Sequence, residues 1–306
     1  MQKKIVFLGT PNFAVPVLKE LKKSEYDLVC VLTQPPRKAH RGQKLNKSPV
    51  QLVAEDLNIS VKIPEKIEKE KDYLKSLNFD IAVVVAYGQI IPKSIINLSN
   101  YGFINIHASL LPKWRGAAPI QRSILNSETQ TGISFMRLNE KLDEGPVCNT
   151  YKVEIKENEN SENLSRRLSE LGASKIIENL KLIFENKANF KEQNHQEATY
   201  AKKIHKLEGK INWKDSSKKI LSIINGLFPN PGGWFTFKNE RYKILKALSS
   251  DKIGQPGKVM DNQLEIACGS GSIKVIEIQR QGKKAQNIKD FISGSQIKIN
   301  SVLDDA

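Results

Sequence analysis

Cysteine is scarce in this 306-residue chain: Cys30, Cys148 and Cys268 are the three, and none forms a CxxC pair. That excludes a disulfide-stapled fold and a thiolate metal centre, and it suits a reducing cytoplasm. Histidine is scarcer for its size, with four in all, so no metal site is expected. Long apolar runs are missing too. The longest, residues 81–87, is strand-sized and falls far short of the roughly 20 residues a membrane helix needs. The basic-then-apolar start, Met1-Gln2-Lys3-Lys4-Ile5-Val6-Phe7-Leu8-Gly9, has too short an apolar part for a secretory signal and runs straight into a turn. It reads as a first buried strand. The turn itself, Gly9-Thr10-Pro11-Asn12, is not a GxGxxG sequence, so a dinucleotide is not indicated. Internal repeats and low-complexity tracts are absent.

An apolar share of 39% and a charged share of 26% describe a soluble chain with a real core, long enough for two domains. Short apolar runs at 4–9, 28–32, 81–85 and 103–106 alternate with helical patterns, the first with Pro16 near its start, where a missing N–H costs little. That alternation predicts an α/β fold with a doubly wound, mostly parallel sheet. A helix is expected over 117–125, strands over 132–138 and 147–155, and then a long helix capped by Ser161 with Leu164, Leu168, Leu171, Leu180 and Ile183 on its apolar stripe. Residues 186–196 dissolve into a polar stretch. The expected division is a catalytic domain over 1–187, a linker over 188–203 and a smaller domain over 204–306. In the last part, a helix at 218–227 precedes Pro- and Gly-rich turns and short alternating runs near 267, 273–278 and 296–299, which suggest a small β-barrel.

The net charge is +15. A Lys-rich composition alone would tilt the balance, but the tilt is uneven. From Tyr200 onward there are 19 Lys and Arg against 10 Asp and Glu, whereas the first 199 residues carry 29 against 23. The smaller part is the more basic, as expected of a nucleic-acid platform. Trp213 and Trp234 there suit base stacking or, more commonly, a core. A second basic feature is the loop over 34–49, long for a βα connection, with Arg37, Lys38, Arg41, Lys44 and Lys47 among turn formers. It suits a phosphate-gripping loop as well as a merely solvated one.

The most informative stretch is Phe103-Ile104-Asn105-Ile106-His107-Ala108-Ser109-Leu110-Leu111-Pro112-Lys113-Trp114-Arg115-Gly116-Ala117-Ala118-Pro119. In a strand, Asn105 and His107 project from one face, where a buried strand meets its loop. A carboxamide can donate to an oxygen gaining negative charge, and an imidazole can move a proton near neutral pH. Asp143, in the sharp turn Leu142-Asp143-Glu144-Gly145-Pro146, is the best candidate to orient that imidazole.

Asn-Ile-His-x-Ser-Leu-Leu-Pro followed by a distant Leu-Asp-x-Gly resembles the folate-dependent formyltransferases. The likeness runs over essentially the whole chain, is sharp between about Ile81 and Pro146, and loosens after Ala201. It implies a Rossmann-like catalytic domain with a C-terminal OB-like barrel, and 10-formyltetrahydrofolate as the donor. It implies Asn105, His107 and Asp143 as the catalytic set, with Ser109, Leu110, Leu111 and Pro112 in the folate-binding loop. Residues 83–88 would line the pterin end, largely through main-chain groups. The full string through Gln121, with Arg41-Gly42-Gln43-Lys44-Leu45 in the basic loop, resembles the branch whose acceptor is initiator methionyl-tRNA, and implies Arg41 and Lys44 as tRNA contacts. Asn212 stands where that branch is expected to have Asp before Trp213. The resemblance implies no metal, a cytoplasmic setting and no membrane, and no dimer stripe is evident, so a monomer is expected. Two rivals remain at this point: the same transfer to a small acceptor, and a folate- or tRNA-binding protein without turnover. Enzymes acting on glycinamide ribonucleotide usually show His-Pro where this chain has His107-Ala108.

Overall fold

The computed structural model describes residues 2–39 and 44–303, which fall into two compact units. The first comprises Met1–Gly116, Gly132–Val153 and Ser165–Tyr200, and the second Ala117–Thr131, Glu154–Leu164 and Ala201–Ala306.

The strands of the first part are β1 (Lys4–Gly9), β2 (Asp27–Leu32), β3 (Arg37–Ala39), β4 (Lys44–Asn46), β5 (Val61–Lys62), β6 (Ile81–Val85), β7 (Phe103–His107), β8 (Arg115–Gly116), β9 (Gln130–Arg137) and β10 (Val147–Glu154). Seven of them form one sheet in the order β10-β9-β7-β6-β1-β2-β5. The pairs β1–β2, β1–β6, β2–β5 and β6–β7 are parallel, and β7–β9 is antiparallel. The chain thus moves outward from β1 to β5 and returns to the other side of β1 at β6. That reversal makes a switch point between the carboxyl ends of β1 and β6, the place where open α/β sheets bind ligands. The expected doubly wound sheet is present, and β5 and the β3–β4 ribbon within the basic loop are additions to it.

Apolar runs explain the strands. All five residues of β6 are buried, as a central parallel strand covered on both faces requires. Each such Val or Ile contributes about 1.5–3 kcal/mol on burial. Helices α1 (Val15–Lys23), α2 (Pro49–Asp56), α3 (Lys71–Leu77) and α4 (Lys93–Ile96) connect the strands. Ser48 accepts from the Gln51 N–H and caps α2, and Pro49 follows at its first position. On one face of β7, Phe103 packs with Ala82, Val84, Tyr87 and Ile91. On the other, Ile106 meets Gly172, where an added Cβ would stand 3.4 Å from the Ile106 side chain.

Gly172 lies in α6 (Ser161–Phe184), which follows α5 (Pro119–Leu125) in the chain. Leu164, Leu168, Leu180 and Ile183 are buried as the stripe requires, and Leu171 is half-buried. The cap is not the expected one. Asn160 accepts from the Asn163 N–H at 2.9 Å, while Ser161 Oγ donates to the Phe228 carbonyl.

Past the short β11 (Tyr200–Ala201), the second unit builds an antiparallel sheet from β12 (Gly233–Phe237), β13 (Glu240–Ser250), β14 (Glu265–Ala267) and β15 (Ser272–Arg280), with β16 (Gln286–Asn287) against β15. Helices α7 (Ser217–Gly226) and α8 (Ile288–Gly294) complete it. Trp213 is buried with Phe235, Tyr242 and Phe291 in the core of this small β domain, so it is not free to stack on a base. Trp234 is only half-buried and carries the Arg241 guanidinium over its ring at 4.0 Å. Residues 296–299 do not form the expected strand. Ile297 turns into the core instead, and its N–H donates to the Ser295 hydroxyl.

Candidate active site

Strand β7 ends beside the switch point. Its register sets Asn105 against Val84 of β6 and Met136 of β9, and His107 against Ser134 of β9. Both side chains are more than nine-tenths buried. Among the described residues, no hydrogen bond engages the Asn105 carboxamide. A nearly buried amide left uncommitted is costly unless something that enters the site completes it.

The His107 ring is held at both ends. Nε2 donates to the Trp114 carbonyl at 2.9 Å. A carbonyl only accepts, so this nitrogen carries the hydrogen, and Nδ1 is the one that faces Asp143. The separation from Nδ1 to Asp143 Oδ2 is 3.7 Å, close enough for strong charge coupling and just beyond a hydrogen bond. Asp143 Oδ2 itself accepts from the Gly116 N–H at 2.8 Å. Its backbone is left-handed, with φ +53°, a conformation Asp tolerates better than most residues. Two residues on, Gly145 has no room for a side chain, because a Cβ there would collide with the Arg137 carbonyl oxygen.

The loop after β7 is tied down locally. Ser109 Oγ donates to the Lys113 carbonyl at 2.6 Å, and the Ser109 carbonyl accepts from Ser134 Oγ, which in turn accepts from the Leu111 N–H. The Ser109 hydroxyl therefore serves its own loop. Leu111 is buried and Leu110 is half-exposed over Gly132. At the switch point, Thr10 Oγ1 and Gln34 Nε2 both donate to the Tyr87 carbonyl, at 2.7 and 3.1 Å. Ala86 and Gly88 are left-handed, which turns the main chain sharply at the end of β6. Gly88 also sits where a Cβ would press on the Gln34 amide. The Tyr87 hydroxyl is buried without a partner among the described residues, and burial raises its pKa, so it stays protonated. Burial likewise pushes the Cys148 thiol up to about 11, which rules it out as a nucleophile here.

Arg41 lies outside the described residues. Lys44 begins β4, which pairs antiparallel with β3 in the basic loop.

Two residues missed in the sequence belong to this centre. Arg115 is a fully buried guanidinium, donating through Nε and Nη2 to Gln193 Oε1 at 3.1 and 2.8 Å. Gln193 Nε2 then donates to the carbonyls of Asp143 and Gly145, at 2.8 and 2.7 Å. Residues 191–199 read as polar linker from their composition, but Gln193 is buried, and Lys191 exchanges two backbone hydrogen bonds with Val147. Nothing in a string such as Lys191-Glu192-Gln193-Asn194 marks the one side chain that turns inward.

Comparison with known proteins agrees with this geometry. The formyl transferase family model matches residues 3–180, and that of the formyl transferase C-terminal domain matches residues 203–296. The methionyl-tRNA formyltransferase of Pelagibacter ubique is 60% identical over 301 residues, covering 97% of either chain. That of Parvibaculum lavamentivorans is 41% identical, covering 96% of this chain and 98% of its own. Two solved structures share the fold. The Helicobacter canadensis N-formyltransferase, in complex with folinic acid and dTDP-3-aminofucose, has a TM-score of 0.69 at 21% identity, over 90% of this chain and 99% of that one. HypX from Aquifex aeolicus, in complex with tetrahydrofolic acid, has a TM-score of 0.68 at 15% identity, over 95% of this chain and 47% of that one.

Proposed function

The chain belongs to the methionyl-tRNA formyltransferases, and from that membership we propose that it transfers the formyl group of 10-formyltetrahydrofolate to the methionyl amino group of initiator tRNA, yielding N-formylmethionyl-tRNA for translation initiation. The observation that carries the chemistry is the uncommitted Asn105 carboxamide beside a His107–Asp143 pair at the switch-point end of β7.

Three services are needed. The formyl oxygen must be stabilised as its carbon becomes tetrahedral, the attacking amine must lose a proton, and the leaving nitrogen must gain one. Asn105 donates to that oxygen. His107 moves the proton, with the Asp143 carboxylate stabilising positive charge as it develops on the ring. A shift of under about an ångström closes their separation to hydrogen-bond length, as catalytic contacts do when substrate binds. The donor fits beside this set: the sharp turn at 86–88 presents main-chain groups at the switch point, and Leu110 offers apolar surface. Residues 1–187 serve as the catalytic domain and 204–306 as a basic RNA-binding domain, joined through 188–203. Arg41 and Lys44 contact the tRNA from the basic loop. The enzyme works as a cytoplasmic monomer. Among the described residues no helix is long and apolar enough to cross a membrane.

The test is formyl transfer from 10-formyltetrahydrofolate with methionyl initiator tRNA, methionyl elongator tRNA and free methionine as parallel acceptors. Transfer to the initiator alone, with binding that weakens steeply as salt rises, is the expected result. Folate binding without transfer to any of the three would overturn the acceptor assignment.

A further inference from the structure

We propose that Arg115 and Gln193 are positioning residues for formyl transfer, acting through the Asp143 turn. The proposal rests on the catalytic reading of Asn105, His107 and Asp143 and goes beyond it.

Three consecutive residues do separate jobs. The Trp114 carbonyl holds His107 Nε2, and the Gly116 N–H holds Asp143 Oδ2. Arg115, between them, points the other way and grips Gln193, whose amide spans the carbonyls of Asp143 and Gly145. The backbone of 114–116 is itself fixed: the Trp114 N–H donates to Thr199 Oγ1 and the Arg115 N–H to the Thr199 carbonyl, both at 2.9 Å. The imidazole and the carboxylate are thus referenced to one short piece of chain, and the carboxylate is referenced to it twice, by side chain and by backbone. Asp143 needs the second hold. It sits at a positive φ that costs a non-glycine residue energy, and a flanking hydrogen-bond network is what retains such a conformation.

A buried guanidinium needs its charge and its five donors met. Gln193 Oε1 takes two of them, His195 Nδ1 accepts at 3.2 Å from Nη1, and the Glu144 carboxylate stands 3.5 Å from Nη1. Placing an arginine here is expensive unless its orientation matters. A neutral amide relays that orientation to two carbonyls without adding a charge beside the catalytic carboxylate.

The discriminating variant is Gln193→Glu. Its carboxylate keeps the two-point contact with Arg115 but cannot donate to the Asp143 and Gly145 carbonyls, so packing survives while the grip is lost. Gln193→Met, of similar length and uncharged, makes the same test should the carboxylate be poorly tolerated. We expect kcat to fall at least tenfold, with KM for 10-formyltetrahydrofolate and for methionyl initiator tRNA within about twofold of wild type. We also expect the loss to be non-additive with Asp143→Asn: once the carboxylate is gone, mispositioning it costs little more. Wild-type kcat in both Gln193 variants, or full additivity in that cycle, would overturn the proposal. If Asp143→Asn alone retains full activity, the parent reading fails with it. An impaired Asp143→Asn beside a normal Gln193→Glu sinks the positioning role only.

Discussion

His107 and Asp143 stand 3.7 Å apart, and their nearest anchors are two apart in sequence, the Trp114 carbonyl and the Gly116 N–H. The spacing of the pair is therefore a property of one short strand, β8, rather than of the two elements that carry the residues. Because Nε2 is committed to a carbonyl, the nitrogen available to a reacting proton or to the carboxylate is Nδ1.

Removing the charge while keeping the shape tests that coupling. In Asp143→Asn the Gly116 N–H still finds an amide oxygen, so the turn is expected to persist. Turnover should fall about 10²-fold, the scale of a positioned acid–base group, with folate affinity retained. Stopped-flow or quench measurement of transfer checks this, and full activity would mean the carboxylate's charge is not used.

The turn itself should be intolerant at Gly145. An alanine there must displace the Arg137 carbonyl at the end of β9 or the turn that carries Asp143. Gly145→Ala is expected to lose both stability, by about 2 kcal/mol or more, and activity. A urea titration and an activity assay on the same preparation decide it; a stable, active variant would show that the turn can relocate without consequence.

Much of the centre was legible because its chemistry lies on one strand. Period-2 alternation puts Asn105 and His107 on the same face with no knowledge of the fold, and the Gly-Pro turn announces Asp143. Arg115 and Gln193 were not legible for the opposite reason. Their roles depend on contacts across nearly 80 residues of chain, and a buried Gln inside a polar run looks like any solvated one. Trp213 illustrates the remaining ambiguity: an aromatic in a basic domain reads equally as a stacking platform and as a core residue, and only packing against Phe235 and Tyr242 decides for the core. Asn160 took the cap expected of Ser161 because both residue types cap equally well and differ by one position.

The second unit has a pH-sensitive link. Arg122 of α5 is hydrogen-bonded to the Glu208 carboxylate through two nitrogens, and that contact holds the carboxyl below its ordinary range, against the opposing effect of burial. The folded value is depressed, so the stabilisation is fully present above the unfolded value of about 4.3 and is lost as pH falls through the folded one. The pair is part-exposed and is worth about 1 kcal/mol. Glu208→Gln should therefore be less stable than wild type at pH 7 by about that amount, with the gap closing toward pH 3. Urea midpoints measured across that range check it, and a gap independent of pH would contradict the linkage.

Single-turnover formyl transfer by Asn105→Ala, with folate and tRNA binding measured alongside, tests the central claim most directly. The account predicts binding within about twofold of wild type and a transfer rate lower by about 10²–10³, the cost of one oxyanion donor. A near-normal rate with intact binding would contradict it, because the one uncommitted polar group at the end of β7 would then have no part in the reaction.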